Sequence, residues 1–403
     1  MPRALFVHNG SPGRFASIAA LLRQRGWDGA LLNGPTGRDL EGFPTIRWQA
    51  QEDVPGAQPI AAVAQRGLIA GAAAAEAARK LKADGFEPDV IIGHPAWGEM
   101  LFLGEVFDAP QIQVGELYYR AHDSDVDFDP EFRVNASPYR VLARNTVLAT
   151  SYANAARIVC PTPYQASTLP RAFDSQIRVI HEGIDVDKAQ RLPQPELRFA
   201  NGRVLDGSTP VITFINRRFE PMRGFHIMMR ALPRLLEQVP EARVLMVGMD
   251  ENGGYGPAPA EGTWKQHMMK ELGARIDMDR VHFVGAVNYE ALITIFSISW
   301  AHVYMTYPFV LSWSLLDAMA CESLIVASDT APVRDVIRDG ENGLLFDFFD
   351  HQALADRLIA ICRDPARYTG LRKAARKTVL AEYDQKRVCE PAWMNLIEEV
   401  ARG

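Results

Sequence analysis

The stretch VITFINRRFEPMRGF, residues 211–225, decides how the fold is read. Its opening, VITFIN, is β-branched and apolar and suits a strand buried on both faces of a sheet. Arg217, Arg218 and Arg223 follow, and Gly224 opens an apolar-periodic run to Val239 that predicts a helix. A strand that ends in cations and feeds a helix is the start of a βα unit. Guanidiniums offer planar, multidentate donors, and the helix N-terminus adds its dipole, so such a junction suits an anionic diphosphate. A solvated surface charge cluster is the plain alternative.

The alternation continues in both directions. Downstream, strands are expected at 243–248, 281–284, 301–305, 324–328 and 343–346, with helices at 289–297, 314–321 and 332–338 and a mostly helical stretch from 351. Upstream, strands are expected at 4–8, 29–33, 89–93, 111–114, 156–160 and 176–180, with helices at 15–25, 60–83 and 138–154. Strands alternating with helices imply βαβ units and parallel sheets. Residues 185–207, with Pro193 and Pro195, read as a linker, and GGYGPAPAEG at 253–262 as a loop or flap. The expectation is therefore an α/β chain of two Rossmann-like domains facing across a deep cleft. Residues 1–184 form the first, 185–375 the second, and a tail, 376–403, crosses back to the first. Ligand sites belong at the carboxyl ends of the strands.

Bulk properties narrow the function classes. A length of 403 residues suits two domains, and 48% hydrophobic with 23% charged residues is an ordinary globular profile. A formal charge of −6 argues against nucleic acid as a partner, which would need a basic excess, but leaves room for a small basic site. Cys160, Cys321, Cys362 and Cys389 form no CxxC pair, so reduced thiols and a cytoplasmic setting are expected rather than disulfides or zinc. No apolar run reaches 18 residues and the N-terminus lacks a signal-peptide core; peripheral attachment at the inner face of a membrane stays open. Asp123, Asp125, Asp127 and Asp129 alternate but lack the glycine and terminal glutamate of a calcium loop. An acceptor-facing or plain surface loop is expected there, and no metal site.

A second chemically loaded stretch is YPFVLSWSLLDAMA, residues 307–320. Ser312 or Ser314 can cap its helix, and backbone amides at Val310, Leu311 and the first turn can face a phosphate. Asp317 lies a turn further on, where a carboxylate can accept hydrogen bonds from a ribose diol or simply partner the helix dipole. In the first half, His94 and Glu116 stand at predicted strand ends, Glu99 is expected in the first turn of a helix, and Trp97, Tyr118 and Tyr119 can stack on sugar rings or belong to the core.

Taken in order, several segments resemble family 4 retaining glycosyltransferases, which have the GT-B fold. They are the strand with its Arg…Arg-Gly element, VHFVG (281–285), SLLDAMACE (314–322), IVASD (325–329), VRDVI (333–337) and GENGLLF (340–346). HEGID (181–185) is similar to that family's entry to its second domain, and NGSPG (9–13) to its first strand-to-helix turn, where Gly13 would let the backbone approach a sugar-phosphate. HPAWGE (94–99), GELYY (115–119), DFDPEF (127–132) and YPFVLSW (307–313) resemble a narrower group within it. The resemblance covers roughly residues 3 to 380.

The resemblance implies transfer from a nucleoside-diphosphate sugar, with retention and without a metal or other cofactor, to a glycan, lipid-linked or protein acceptor. Arg217 or Arg218, with Arg223, would stabilise the leaving diphosphate. Gly13, His94, Phe309, Val310, Leu311, Ser312 and Asp317 would line the donor, and Glu116 would join the arginines as a catalytic residue in the first-domain site. The chain departs from the pattern at four places, one of them Glu116, which falls near a position where many relatives carry a histidine. Phe309 and Asp317 stand where the family has a pair of glutamates, and Glu322 where it usually has glycine. These departures feed a rival reading, a non-catalytic nucleotide-sugar-binding protein acting as a partner or regulator in glycan assembly. A two-domain epimerase is a further enzyme reading.

Overall fold

The computed structural model describes residues 1–10, 12–49, 56, 58–133, 137–199 and 202–402. Ser11 of the first predicted turn, residues 200 and 201 of the predicted linker and the last residue of the tail lie outside that set. The chain divides into two compact units: residues 1–122, 136–183 and 386–403, and residues 123–135 with 184–385.

Unit 1 is built on seven parallel strands: β1 (Arg3–His8), β2 (Asp28–Asn33), β3 (Thr45–Arg47), β4 (Val90–Gly93), β5 (Gln111–Val114), β6 (Arg157–Cys160) and β7 (Ile177–Val179). Their spatial order is β3-β2-β1-β4-β5-β6-β7. Successive side chains of a strand point to opposite faces. Ala4 and Phe6 therefore enter one core with Ile18 and Leu22 of the helix Ala16–Gln24, while Leu5 and Val7 enter the other with Ala74 and Ala78 of the helix Ala62–Ala83. The helix Glu390–Ala401 adds Trp393, Met394 and Ile397 to the first of these cores. Burying three such side chains contributes on the order of 5–8 kcal/mol, which is what ties the end of the chain to this unit.

Two local expectations differ here. The three-residue edge strand β3 is too short to show a period. The helix expected over 138–154 is two, Pro138–Ala143 and Asn145–Ala153. At the break, Asn145 turns inward to pair with both the N–H and the C=O of Tyr119, at 2.9 and 2.8 Å.

Unit 2 begins with a two-residue antiparallel hairpin, β8 (Leu197–Arg198) and β9 (Val204–Leu205), inside the stretch read as a linker. Its sheet holds β10 (Val211–Arg218), β11 (Arg243–Met249), β12 (Val281–Gly285), β13 (Ala301–Tyr304), β14 (Ile325–Ser328) and β15 (Leu344–Phe346). All pairings are parallel, in the order β12-β11-β10-β13-β14-β15. The helix Trp264–Leu272 was not expected, although Thr263 and Gln266 form a capping box that is readable as T-x-x-Q. The helix expected over 332–338 is a single turn, Ala331–Arg334.

In both sheets the order of strands reverses beside the first strand, at β1/β4 in unit 1 and at β10/β13 in unit 2. The crossovers on either side of such a point leave in opposite directions, so a crevice opens at the carboxyl ends of the two strands. His8 and His94 flank the first crevice; Arg217, Arg218 and residues 305–312 flank the second.

The backbone at position 322 is one that glycine adopts without strain. The helix Trp313–Ala320 ends in a Schellman arrangement, with Ser323 N bonded to Ala318 O at 3.0 Å and Glu322 N to Met319 O at 3.1 Å. That closure needs a left-handed residue, and Glu322 holds φ of 56°. Glu322→Gly is accordingly expected to stabilise the protein by about 1 kcal/mol, seen as a higher urea midpoint at unchanged m-value. A lower midpoint would mean that the glutamate side chain contributes more than its backbone strain costs.

Candidate active site

At the β10/β13 crevice, Arg223 is buried, with 7% of its surface exposed. The left-handed Gly224, φ 73°, starts the helix Phe225–Gln238 and brings Arg223 beside the end of β13. A Cβ at position 224 would lie 2.5 Å from Met305 Cβ, so both the backbone angle and the close approach require glycine. One guanidinium nitrogen of Arg223 donates to Thr306 Oγ1 at 2.8 Å and to the Val310 carbonyl at 2.9 Å. The Phe309 and Tyr255 rings lie 5.7 and 5.8 Å from the guanidinium carbon. Among the described residues no carboxylate forms an ion pair with Arg223.

The loop between β13 and the helix Trp313–Ala320 is stitched in place. Tyr307 N donates to Met222 O at 3.0 Å, and Ser312 N to the buried Tyr304 hydroxyl at 2.8 Å. Ser312 is the helix cap, its side chain accepting from Ser314 N. The Ser312 amide is thus spent inside the protein and does not face outward as expected. Those of Val310 and Leu311 have no acceptor among the described residues.

The other expected side chains fall into different states. Arg218 pairs with Glu251 at 2.7 Å, whereas Arg217 is exposed and takes part in no ion pair among the described residues. Asp317 is buried and accepts from the Tyr289 hydroxyl at 2.9 Å. Burial pushes its carboxyl up to about 6 against the pull of that hydrogen bond. One residue went unremarked in the sequence: Glu220, buried between the arginines of the same element, with Oε2 unpartnered. Burial raises its carboxyl to about 7 although Arg223, the Tyr255 amide, Arg218 and Arg217 all pull it down. A carboxylate inside an arginine run was the signal that could have found it.

Unit 2 is completed by residues 123–133, which come from the first half of the sequence yet group with the second sheet. Asp129 is 1% exposed; it accepts from Tyr307 Oη, lies 3.3 Å from His226 Nε2, and receives the amides of Glu131 and Phe132 at 2.8 and 3.1 Å. Phe128 packs on Tyr307, Phe348 and Phe349, and Phe132 on Trp264 and His226. Arg230 forks onto Glu131 and again onto Glu271. The stretch expected to be a surface loop is therefore an anchored strap.

At the β1/β4 crevice of unit 1 stands a second polar cluster. His94 Nε2 lies 3.1 Å from Glu116 Oε2, and Arg14 Nη2 donates to Glu116 Oε1 at 2.9 Å. Arg14 Nη1 is 3.0 Å from Glu182 Oε1, an ion pair off the line of a hydrogen bond. Burial would raise the Glu116 carboxyl, but His94 and Arg14 outweigh it and hold it at about 2. Burial, with His94 and Arg14 nearby, lowers His8 to about 3, and its Nδ1 accepts from Gly10 N at 2.9 Å. Gly13 is exposed in the 3₁₀ turn Pro12–Phe15. Tyr118 and Tyr119 pack against a core cluster, whereas Trp97 is 47% exposed with its ring 5.8 Å from His8 and 5.2 Å from His94.

Glu99 corrects an expectation. No helix follows it directly; it is fully buried, accepts from Trp97 N at 3.1 Å and leaves Oε1 unpartnered. Burial raises its carboxyl to about 8 against the pull of its own amide and those of Trp97 and Asn9. The folded state thus keeps a proton that the unfolded chain loses near pH 4.5, so this group costs stability as pH climbs from there towards 8. Glu99→Gln is expected to remove that loss and to gain a few kcal/mol over the native protein between pH 5 and 8 in urea titrations. A gap independent of pH would show that Glu99 ionises normally.

Comparison with known proteins agrees with this arrangement. Residues 25–189 match the family model described as "Glycosyl transferase family 4 group", and residues 198–378 the one described as "Glycosyl transferases group 1". A phosphatidyl-myo-inositol mannosyltransferase of Mycobacterium leprae is 28% identical over 48% of this chain and 46% of its own length. A D-inositol 3-phosphate glycosyltransferase of Corynebacterium urealyticum is 25% identical over 61% and 56%. The matches span about half the length of these curated relatives.

Among solved structures, sucrose-phosphate synthase of Thermosynechococcus elongatus superposes with a TM-score of 0.72 at 18% identity, covering all of both chains. Anabaena Alr3699/HepE in complex with UDP gives 0.69 at 16%, covering 99% of this chain and all of its own. At these identities the structural likeness establishes the fold, GT-B with two Rossmann-like domains. Two glycosyltransferase models, one of family 4 and one of group 1, thus match consecutive parts of the chain, one on each side of the entry to β8.

Proposed function

We propose that this chain is a retaining, metal-independent glycosyltransferase that moves a sugar from a nucleoside-diphosphate sugar to a glycan, lipid-linked or protein acceptor in the cytoplasm. The observation that carries the reading is Arg223: a buried guanidinium at a strand-order reversal, in no ion pair among the described residues and held by Thr306 and Val310. A buried cation without an anion is costly, and a diphosphate would supply the missing charge. Arg217 or Arg218 and the amides of Val310 and Leu311 would share it, stabilising the leaving group as the bond from the anomeric carbon to phosphate oxygen breaks. The acceptor oxygen bonds to that carbon from the same face and passes its proton to the departing diphosphate. The structural neighbour from Anabaena, Alr3699/HepE, is a complex with UDP, which supports a nucleotide-bearing donor.

A second reading, a nucleotide-sugar-binding partner without turnover, draws on Phe309 and on the Asp317 carboxylate already engaged by Tyr289. Thermal unfolding with UDP, GDP, ADP and their sugars, with and without EDTA, tests both. Stabilisation by one nucleotide that survives EDTA, followed by an α-to-α or β-to-β product in NMR, is expected. No stabilisation by any nucleotide sinks the donor site; stabilisation with neither transfer nor donor hydrolysis leaves the binding protein.

A further inference from the structure

We infer that the β1/β4 cluster of unit 1 receives an uncharged polyhydroxyl ring, a sugar or cyclitol, and discriminates against a phosphorylated one. This rests on the reading of unit 1 as the acceptor-binding half of a glycosyltransferase. Three observations carry it. Arg14, the guanidinium at the centre of the cluster, already faces two carboxylates, Glu116 at 2.9 Å and Glu182 at 3.0 Å. Glu116 also meets His94 at 3.1 Å, so even a protonated His94 brings the four groups only to neutrality, and a neutral one leaves a net negative charge. His8 adds no positive charge, since its buried ring stays neutral. A phosphate entering here would meet carboxylates whose cation is committed, and like charges at such distances repel strongly in a partly buried setting.

A hydroxylated ring meets the opposite situation. Carboxylate oxygens accept from hydroxyl groups, and charge-assisted bonds of this kind are the stronger ones. Glu116 is accessible enough to take part, with 38% of its side chain exposed. Against His94 the half-exposed Trp97 offers an aromatic face to the apolar side of a ring. The relatives named D-inositol 3-phosphate glycosyltransferases make the contrast sharp, because the inositol of their name is phosphorylated.

Saturation-transfer NMR on the full chain tests this with matched pairs: myo-inositol against inositol 3-phosphate, and glucose against glucose 6-phosphate. The neutral member of each pair is expected to bind about tenfold tighter, and Trp97→Ala to weaken it about fivefold. In the double variant Glu116→Gln, Glu182→Gln, Arg14 is released, and the phosphorylated members are expected to gain about tenfold. Tighter binding of the phosphorylated members by the native protein, or no response to the neutral ones at millimolar concentration, overturns the inference. Nucleotide-induced thermal stabilisation of the same samples separates the two claims. If it persists while the preference fails, only the acceptor class is wrong; if it is absent, the transferase reading itself has failed.

Discussion

Replacing Arg223 with alanine is expected to abolish stabilisation by the cognate nucleotide and to lower donor turnover about 10²–10³-fold. The magnitude follows from the position. Arg223 is buried and in no ion pair among the described residues, and the neighbouring Glu220 carboxyl is pushed up to about 7 by burial, so the field of Arg223 at the crevice is only partly screened. One nitrogen of its guanidinium also ties Thr306 to the Val310 carbonyl, so the loop carrying the Val310 and Leu311 amides loses a brace along with the cation. Arg223→Lys keeps the charge but is a point donor that cannot hold both oxygens and a diphosphate, and an intermediate loss is expected. The unliganded alanine variant should be less stable by about 1–3 kcal/mol, the cost of two oxygens left without their donor. Nucleotide-induced stabilisation and turnover unchanged in Arg223→Ala would remove Arg223 from the site altogether.

Asp129→Ala is expected to cost about 3–5 kcal/mol of stability in urea unfolding, the largest loss anticipated from any single side chain outside the crevices. Four donors converge on this carboxylate: Tyr307, His226 and the amides of Glu131 and Phe132. Removing it strands them in a site 1% exposed. The pH dependence carries a second signature. Burial raises the Asp129 carboxyl, but hydrogen bonds from His226 and Tyr307, the His226 charge and the Glu131 amide outweigh it and hold it at about 2, below its ordinary 3.8. A lowered pKa contributes stability above the unfolded value and loses it as pH falls through the folded one. The native protein should lose about 2 kcal/mol from this group between pH 4 and pH 2, and the alanine variant should not. Because Tyr307 opens the loop that reaches Val310, the variant should also weaken nucleotide binding. A loss below about 1 kcal/mol would mean that the strap is held by Phe128, Phe132 and Arg230 alone.

Much of this protein was legible before any coordinates. Buried parallel strands are near-continuous apolar runs, and VITFIN, RVLMVG and ALFVH announce themselves because few polar side chains can face either covered side. Where such runs end and glycine or arginine follows is a matter of sequence too, so Arg217, Arg218, Arg223, His94 and Glu116 could be placed at strand ends by inspection. Short or weakly patterned pieces were not legible: β3 and the β8–β9 hairpin have too few residues to show a period, and Trp264–Leu272 follows a glycine-rich loop that masks its cap.

What the sequence by itself determined is the alternation of strands and helices, the βα junction with its three arginines, and hence two α/β units with anion-seeking strand ends. Only the tertiary structure decided the strand order, and with it the crevices at β1/β4 and β10/β13, since the order depends on which way each crossover turns. It alone paired Arg14 with Glu116 and Glu182, Arg218 with Glu251, and Asp317 with Tyr289, partners from 28 to 168 residues apart. It alone carried Asp129 to Tyr307 across 178 residues, turning an acidic stretch into an internal anchor. Local chemistry is written along the chain because propensity and pattern act over a few residues. Which charges are spent on each other and which remain for a ligand is a property of distance and burial, and those exist only once the chain has folded.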